Sequence, residues 1–334
     1  MLEINNTLVN AVKQLFQNGQ SFLVISHIKP DGDAIGSLLG LGLALREAGK
    51  DVQMVLVDGV THSFHYLPGS DSVLRRPKGS YDTAVVLDCS DLIRTGGVLG
   101  DRQPDLNIDH HITNLNFARI NFVNPTAAAT SAILAGYLEV WGLTISTPVA
   151  QALMTGLVSD TIGFRTSNVT PETLRLAAKL MEHGAVLANI YNRTLLRRSF
   201  ESARYWGPAL TRLQRNGRLI WTTLTLADRE MASYPGNDDA DLINTLSSID
   251  DSDIAIVFTE QKGNRIKVSW RSQNGYDVSQ IALQFGGGGH PAAAGAEVAG
   301  ELETVQDMIL KATQKIMENN IYIREQENGN AVSL

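Results

Sequence analysis

Four short segments of this 334-residue chain each end an apolar stretch with acids or histidines. SHIKPDGDAIGS supplies His27, Asp31 and Asp33. VVLDCSD supplies Asp88, IDHH supplies Asp109, His110 and His111, and GLVSDT supplies Asp160. Each alone has a plain structural explanation: Asp31-Gly32-Asp33 suits a turn and a helix N-cap, Asp88 a strand end, and the adjacent histidines a satisfied surface pair. All four together need more. Charged groups gathered beside apolar strands require compensation, and metal ions supply it. Carboxylates and imidazoles without thiolate suit a borderline-hard divalent ion such as Mn²⁺, with Mg²⁺ or Co²⁺ as substitutes. This many ligands fit two ions better than one. Paired ions about 3.5–4 Å apart clamp the attacking and leaving oxygens of a phosphoryl transfer.

Such residues converge only if the fold brings them together. Phe22–Ser26, Val52–Val57, Thr83–Leu87 and Leu106–Ile108 are short, almost wholly apolar runs, the pattern of parallel strands buried on both faces. Ala34–Gly49, Thr126–Trp141 and Pro148–Val158 read as helices. The alternation predicts an open, parallel-sheet α/β domain over residues 1–190, with ligands beyond the carboxyl ends of the strands. His27, Asp88 and Asp109 stand at such ends.

A helical linker is expected over 191–214, within a helical stretch that begins at Pro171. Seven arginines and one acid, Glu201, lie between Arg193 and Arg218. They predict a solvated helix face, with some arginines as candidates to meet phosphate. Leu219–Leu226, Asp253–Glu260 and Arg265–Trp270 read as strands, Val278–Phe285 as a short helix before a glycine loop, and Leu302–Asn319 as a terminal helix. These form a smaller α/β domain over 215–325, and the polar end EQENGNAVSL is expected to fray.

One cysteine, Cys89, excludes a disulfide framework and favours a reducing, cytoplasmic setting. Ile4, Leu8, Val12, Leu15 and Phe16 fall at helical spacing rather than in a leader pattern. No apolar run approaches the roughly 18 residues of a membrane span. A net charge of −7 argues against coating long nucleic acid.

The four motifs resemble those of the DHH phosphoesterase superfamily. FGGGGHPAAAG, Phe285–Gly295, resembles the signature of the DHH-associated C-terminal domain, found with RecJ-type exonucleases and oligoribonucleases of the NrnA type. The resemblance runs from about residue 20 to about residue 320. It implies one ion on His27, Asp31 and Asp88, and a second on Asp33, Asp88, His110 and Asp160, with Asp88 bridging. It makes His111 the catalytic histidine and Asp109 the residue that orients the histidine pair.

Two divalent ions only cancel the four metal-binding carboxylates, so an incoming phosphate needs further donors. Gly286, Gly287, Gly288 and Gly289 are expected to offer backbone N–H groups as an anion nest. His290 and Arg271 are expected to add charge-assisted bonds. The resemblance assigns all six to substrate binding. Arg94, Asn114 and Arg165 are weaker candidates for the cleft rim, and Cys89 is given no chemistry.

The substrate implied is short RNA or a dinucleotide, cut to nucleoside monophosphates, together with removal of the 3′-phosphate of 3′-phosphoadenosine 5′-phosphate. Cyclic or linear di-AMP is the alternative ligand, and a catalytically silent nucleotide sensor the alternative class. Neither long duplex nucleic acid nor a membrane is an expected partner, and a homodimer is one assembly the sequence permits.

Overall fold

The computed structural model describes the backbone from Asn6 to Asn330 apart from Asn274, and side chains as far as Glu318. Ile4 and residues 331–334 of the polar end lie outside the described residues. The chain forms two compact units, Met1–Arg197 and Arg198–Leu334. The division falls inside the segment 191–214 read as a linker.

The first unit contains α1 (Asn6–Asn18), β1 (Ser21–Ile25), α2 (Gly32–Glu47), β2 (Asp51–Val55), β3 (Thr83–Leu87), β4 (Leu106–Asp109) and β5 (Ile120–Val123), then α3 (Thr130–Tyr137), α4 (Thr147–Asp160), α5 (Pro171–Glu182) and α6 (Leu187–Tyr191). Its sheet is entirely parallel in the order β2-β1-β3-β4-β5. The order reverses between β1 and β3, where the crevice beyond the strand ends opens for a ligand. Ile25 lies opposite Val86, and Leu87 opposite Ile108. Continuing that register places His27, Asp88 and Asp109 in one row along the carboxyl edge.

Helices α2 and α4 bring further residues to the same edge. A Cβ on Gly36 would lie 2.5 Å from the Ala152 carbonyl oxygen and 2.7 Å from the Gly156 nitrogen. Glycine at both positions therefore lets the two backbones touch, which sets Asp33 at the start of α2 beside Asp160 at the end of α4.

Two details differ from expectation. β5 was not foreseen; its residues are mostly half-buried at the sheet edge, so they lack the apolar signature of a central strand. Helix α3 begins at Thr130 rather than Thr126, because Asn124 first closes a turn, accepting bonds from the Thr126 backbone N–H and hydroxyl.

The second unit contains α7 (Phe200–Thr211), β6 (Gln214–Asn216), β7 (Leu219–Leu224), α8 (Leu226–Ala232), α9 (Leu242–Leu246), β8 (Ile254–Gln261), β9 (Arg265–Ser272), α10 (Ser279–Gln284), β10 (Gly288–His290), β11 (Ala293–Ala299) and α11 (Leu302–Asn330). Its sheet runs β10-β11-β9-β8-β7-β6, with β7 and β8 parallel and the other pairs antiparallel. One core joins Trp270, Val268 and Ile256 to Val305 and Ile309 of α11. The other joins Ala255 and Val257 to Tyr205 of α7 and to Leu242 and Leu246 of α9. Strand β11 was not expected, since its alanines and glycine carry little β signal. Helix α11 runs past the expected end at Asn319. Among the described residues no helix is long and apolar enough to cross a membrane.

Candidate metal centre

The row His27–Asp88–Asp109 sits buried where β1, β3 and β4 end, with Asp33 and His110 buried beside it, His111 and Asp160 half-buried and Asp31 exposed. His27 Nε2 lies 3.5 Å from Asp88 Oδ2 and 3.9 Å from Asp31 Oδ2. His110 Nε2 lies 3.7 Å from both Asp88 Oδ1 and Asp160 Oδ2. These gaps exceed a charge-assisted hydrogen bond. They match two donors on one ion with bonds of about 2.0–2.2 Å. Among the described residues three groups present ligand atoms within 4.8 Å of one another: His27, Asp31 and Asp88; Asp33, His110 and Asp160; and Asp88, His110 and His111. Asp88 belongs to two of them, offering one oxygen toward His27 and the other toward His110.

Backbone contacts prepare both histidines. His27 Nδ1 is 2.8 Å from the Ile28 carbonyl, and His110 Nδ1 is 3.4 Å from the Ala127 carbonyl. An N–H facing each carbonyl leaves the Nε2 lone pair turned to the carboxylates, the tautomer a metal ligand requires. Asp31 keeps the plainer role as well: its Oδ1 caps α2 by accepting from the Asp33 and Ala34 N–H groups at 3.0 Å, while Oδ2 faces His27. Asp33 caps a different helix, accepting from the N–H groups of Thr130 and Ser131 at the start of α3. Thr130 also donates its hydroxyl to Asp88. Sequence reading missed this pair; the only signal was a Thr-Ser step opening a buried helix.

Electrostatics show the same demand for cations. Burial pushes Asp33 up to about 6, and the neighbouring Asp88 adds to it. Burial and Asp33 raise Asp160 well above the usual carboxylate range. Burial would raise Asp88 too, yet the His27 bond and the His110 and His111 charges hold it low. Burial would lower His110, but Asp160, Asp88 and Asp33 push it up to about 9. Any divalent ion binding here would have to displace these protons, because ligation requires deprotonated carboxylate and neutral imidazole.

The IDHH run divides its work. Asp109 is fully buried; its Oδ1 accepts the His110 backbone N–H at 2.8 Å and faces His111 Nδ1 at 2.7 Å. That contact commits Nδ1 of His111. Distance alone still admits His111 as a ligand with Asp88 and His110. Asp88 itself adopts a left-handed backbone, φ 52°, a conformation that non-glycine residues keep only when their surroundings demand it.

In the second unit, His290 pairs with Ala293, and Ala293 with Arg271. Residues directly opposite share a sheet face, so Arg271 and His290 flank one small alanine. Arg271 is held by Asn244 Oδ1 at 3.0 Å and the Trp270 carbonyl at 2.9 Å. The glycine loop needs correcting. The N–H groups of Gly286 and Gly287 bond to the Leu283 and Ala282 carbonyls and close α10. Gly288 and Gly289 belong to β10. A Cβ on Gly287 would meet the Gly295 carbonyl oxygen at 2.2 Å, so this glycine allows a tight hairpin. Gly286 and Gly287 are therefore not the open anion nest expected.

Most arginines of the basic stretch are occupied within their own units. Arg193 lies over Tyr66, Arg198 pairs with Asp241, Arg212 with Asp228 and Arg218 with Asp253. Arg165 is exposed beyond α4. The Arg94 backbone carbonyl accepts the Ile28 N–H. Asn114 turns away from the rim role: its side-chain amide donates to Asp109, Asn107 and the Cys89 carbonyl. Burial pushes the Cys89 thiol up to about 12, which leaves it unreactive.

Known proteins resemble the chain in both of its units. The N-terminal domain of the DHH family matches residues 21–157, and the DHHA1 domain matches residues 231–319. The chain is 33% identical over 297 residues to a bifunctional oligoribonuclease and PAP phosphatase NrnA of Thermus thermophilus, covering 87% of this chain and 89% of the relative. It is 27% identical over 323 residues to a protein of the same name from Mycoplasma genitalium, covering 93% and 97%. An exopolyphosphatase-related protein from Bacteroides fragilis shares the fold, with TM-score 0.86, 24% identity, and coverage of 96% and 98%.

Proposed function

The chain belongs to the DHH family, and on that premise we propose that it is a metal-dependent phosphoesterase hydrolysing short RNA oligonucleotides to nucleoside monophosphates and 3′-phosphoadenosine 5′-phosphate to its dephosphorylated product. The observation that carries the reaction class is the row His27–Asp88–Asp109, with Asp88 facing a histidine on each side. The substrate class rests on the two relatives named for oligoribonuclease and PAP phosphatase activity, each matched over most of its length.

Two Mn²⁺ ions would be held at the centre, one by His27, Asp31 and Asp88, the other by Asp33, Asp88, His110 and Asp160. When bound, such ions supply a water acidified to near-neutral pKa and a positive clamp on the phosphoryl oxygens. The chain's own groups do the rest. Asp109 holds His111 by Nδ1, and the ring so oriented is proposed to orient the phosphate or protonate the leaving oxygen. Arg271, pinned by Asn244, and His290, on the same sheet face, are proposed to grip the substrate's phosphates. The glycines between them and α10 shape the hairpin that presents His290.

The test is a panel with Mn²⁺: ribodinucleotide, longer RNA, single-stranded DNA, 3′-phosphoadenosine 5′-phosphate, cyclic di-AMP and pyrophosphate, compared by kcat/KM. The proposal requires the ribodinucleotide and 3′-phosphoadenosine 5′-phosphate to lead. Preference for cyclic di-AMP or long single-stranded DNA would replace the substrate reading, and binding without turnover would mark a sensor. Repeating the panel on Arg271→Ala, with a raised KM expected, tests the second unit's role.

A further inference from the structure

Asn114 follows the IDHH run by three residues and is half-buried. Its amide orientation is dictated by its neighbours. The backbone N–H of Asn116 donates to Oδ1 at 2.7 Å, so Oδ1 must be the acceptor and Nδ2 faces the other way. There Nδ2 meets only acceptors: Asp109 Oδ2 at 2.5 Å, Asn107 Oδ1 at 2.8 Å and the Cys89 carbonyl at 3.2 Å. Asn107, fully buried, is fixed in turn, since its own Nδ2 donates to the Val86 and Cys89 carbonyls at 3.3 Å. Asn107 is thus oriented by carbonyls at the end of β3, and Asn114 by the Asn116 N–H.

The consequence falls on Asp109. One oxygen is engaged by Asn114. The other accepts the His110 N–H and faces His111 Nδ1. A carboxylate clamped on one side can offer His111 a single oxygen in a single direction. From this chain of contacts we infer that Asn114 is a positioning residue for catalysis: acting through Asp109, it fixes the ring orientation and tautomer of His111. The inference rests on the phosphoesterase reading and adds a residue to its machinery. Outer partners of the groups in a metal site typically matter by 10–100-fold, and the same scale is expected of Asn114.

The experiment uses the full-length Mn²⁺-loaded protein and a ribodinucleotide. Asn114→Ala should lower kcat about 10–100-fold, with KM within a few-fold of the unaltered protein and the metal content preserved. Asn114→Asp keeps the shape but sets an acceptor oxygen against Asp109, so kcat should fall at least as far. In an Asp109→Asn background, Asn114→Ala should cost little more, because both changes break the same link. A raised KM with unchanged kcat would return Asn114 to a substrate-rim role and overturn the inference. So would an Asn114→Asp enzyme of normal kcat, a loss of kcat matched by loss of Mn²⁺, or full additivity with Asp109→Asn. Absence of turnover by the unaltered protein would remove the phosphoesterase reading itself, and this inference with it.

Discussion

Replacing Asp88 by asparagine should erase most of the stabilisation that Mn²⁺ confers, whereas Asp31→Asn should erase less than half. Asp88 faces His27 through one oxygen and His110 through the other, while Asp31 reaches only the His27 side. An ion present at 100 times its dissociation constant stabilises the folded state by about 2.7 kcal/mol, so two ions give about 5 kcal/mol. For a unit the size of Met1–Arg197, each kcal/mol moves Tm by about 2–4 °C. The unaltered protein should therefore melt roughly 10–20 °C higher with Mn²⁺ than without. Loss of a direct ligand weakens a site by at least the ~100-fold seen for outer-shell changes, leaving about 0.4 kcal/mol per affected ion. Asp88→Asn affects both ions and should shift by only about 2–3 °C. Asp31→Asn affects one, should keep about 3 kcal/mol, and should shift by about 6–12 °C. Asparagine also preserves the N-cap of α2, so the Asp31 variant changes little else. Each shift is measured against the variant's own metal-free melt, because Asp88 also matters there. Its carboxyl is held below the ordinary range, so its charge stabilises the fold at neutral pH and is lost as pH falls through the folded-state value. Calorimetric melts at graded Mn²⁺ would read these numbers. Equal shifts for the two variants would refute the bridging role.

Three further outcomes are expected. His111→Ala should lower kcat while both ions stay bound; metal analysis showing a lost ion would move His111 into the ligand set that its distances to Asp88 and His110 permit. Mn²⁺ affinity should rise with pH toward about 9, where His110 loses its proton, and fall further below about 6, where Asp33 gains one. Calorimetric titration near neutral pH in two buffers of different ionisation heat should register released protons, and identical heats would contradict this. Gly36→Ala would force a Cβ against the backbone of α4, costing on the order of 1–3 kcal/mol and parting Asp33 from Asp160. A variant with unchanged Tm and metal content would show that α2 and α4 need no such approach.

The convergence of the four motifs on one sheet edge was largely legible because apolar strands end in acids at Leu87–Asp88 and Ile108–Asp109; each end alone has a plain reading, and only the set pointed further. The parallel sheet followed from the same strands. What escaped depends on partners distant in sequence. The start of α3 is capped by Asp33, 97 residues earlier in the chain, and no local capping pattern announces that. β5 and β11 carry half-buried or alanine-rich residues, so neither gives the periodicity of a core strand. The glycine run is compatible with a loop, a helix end and a hairpin alike; the Gly286 and Gly287 bonds to Leu283 and Ala282 decide for the helix end, and the Gly287 approach to Gly295 for the hairpin. Asn114 is a polar residue after a metal motif; its turn toward Asp109 rather than solvent is set by Asn116 and Asn107.

His27, Asp31, Asp33, Asp88, His110 and Asp160 are proposed to hold two ions with Asp88 between them. Anomalous diffraction from crystals grown with Mn²⁺ tests this arrangement directly. Two peaks about 3.5–4 Å apart are expected, each within bonding distance of an Asp88 oxygen, with Asp109 touching neither. A single peak, or a pair that Asp88 does not bridge, would contradict it.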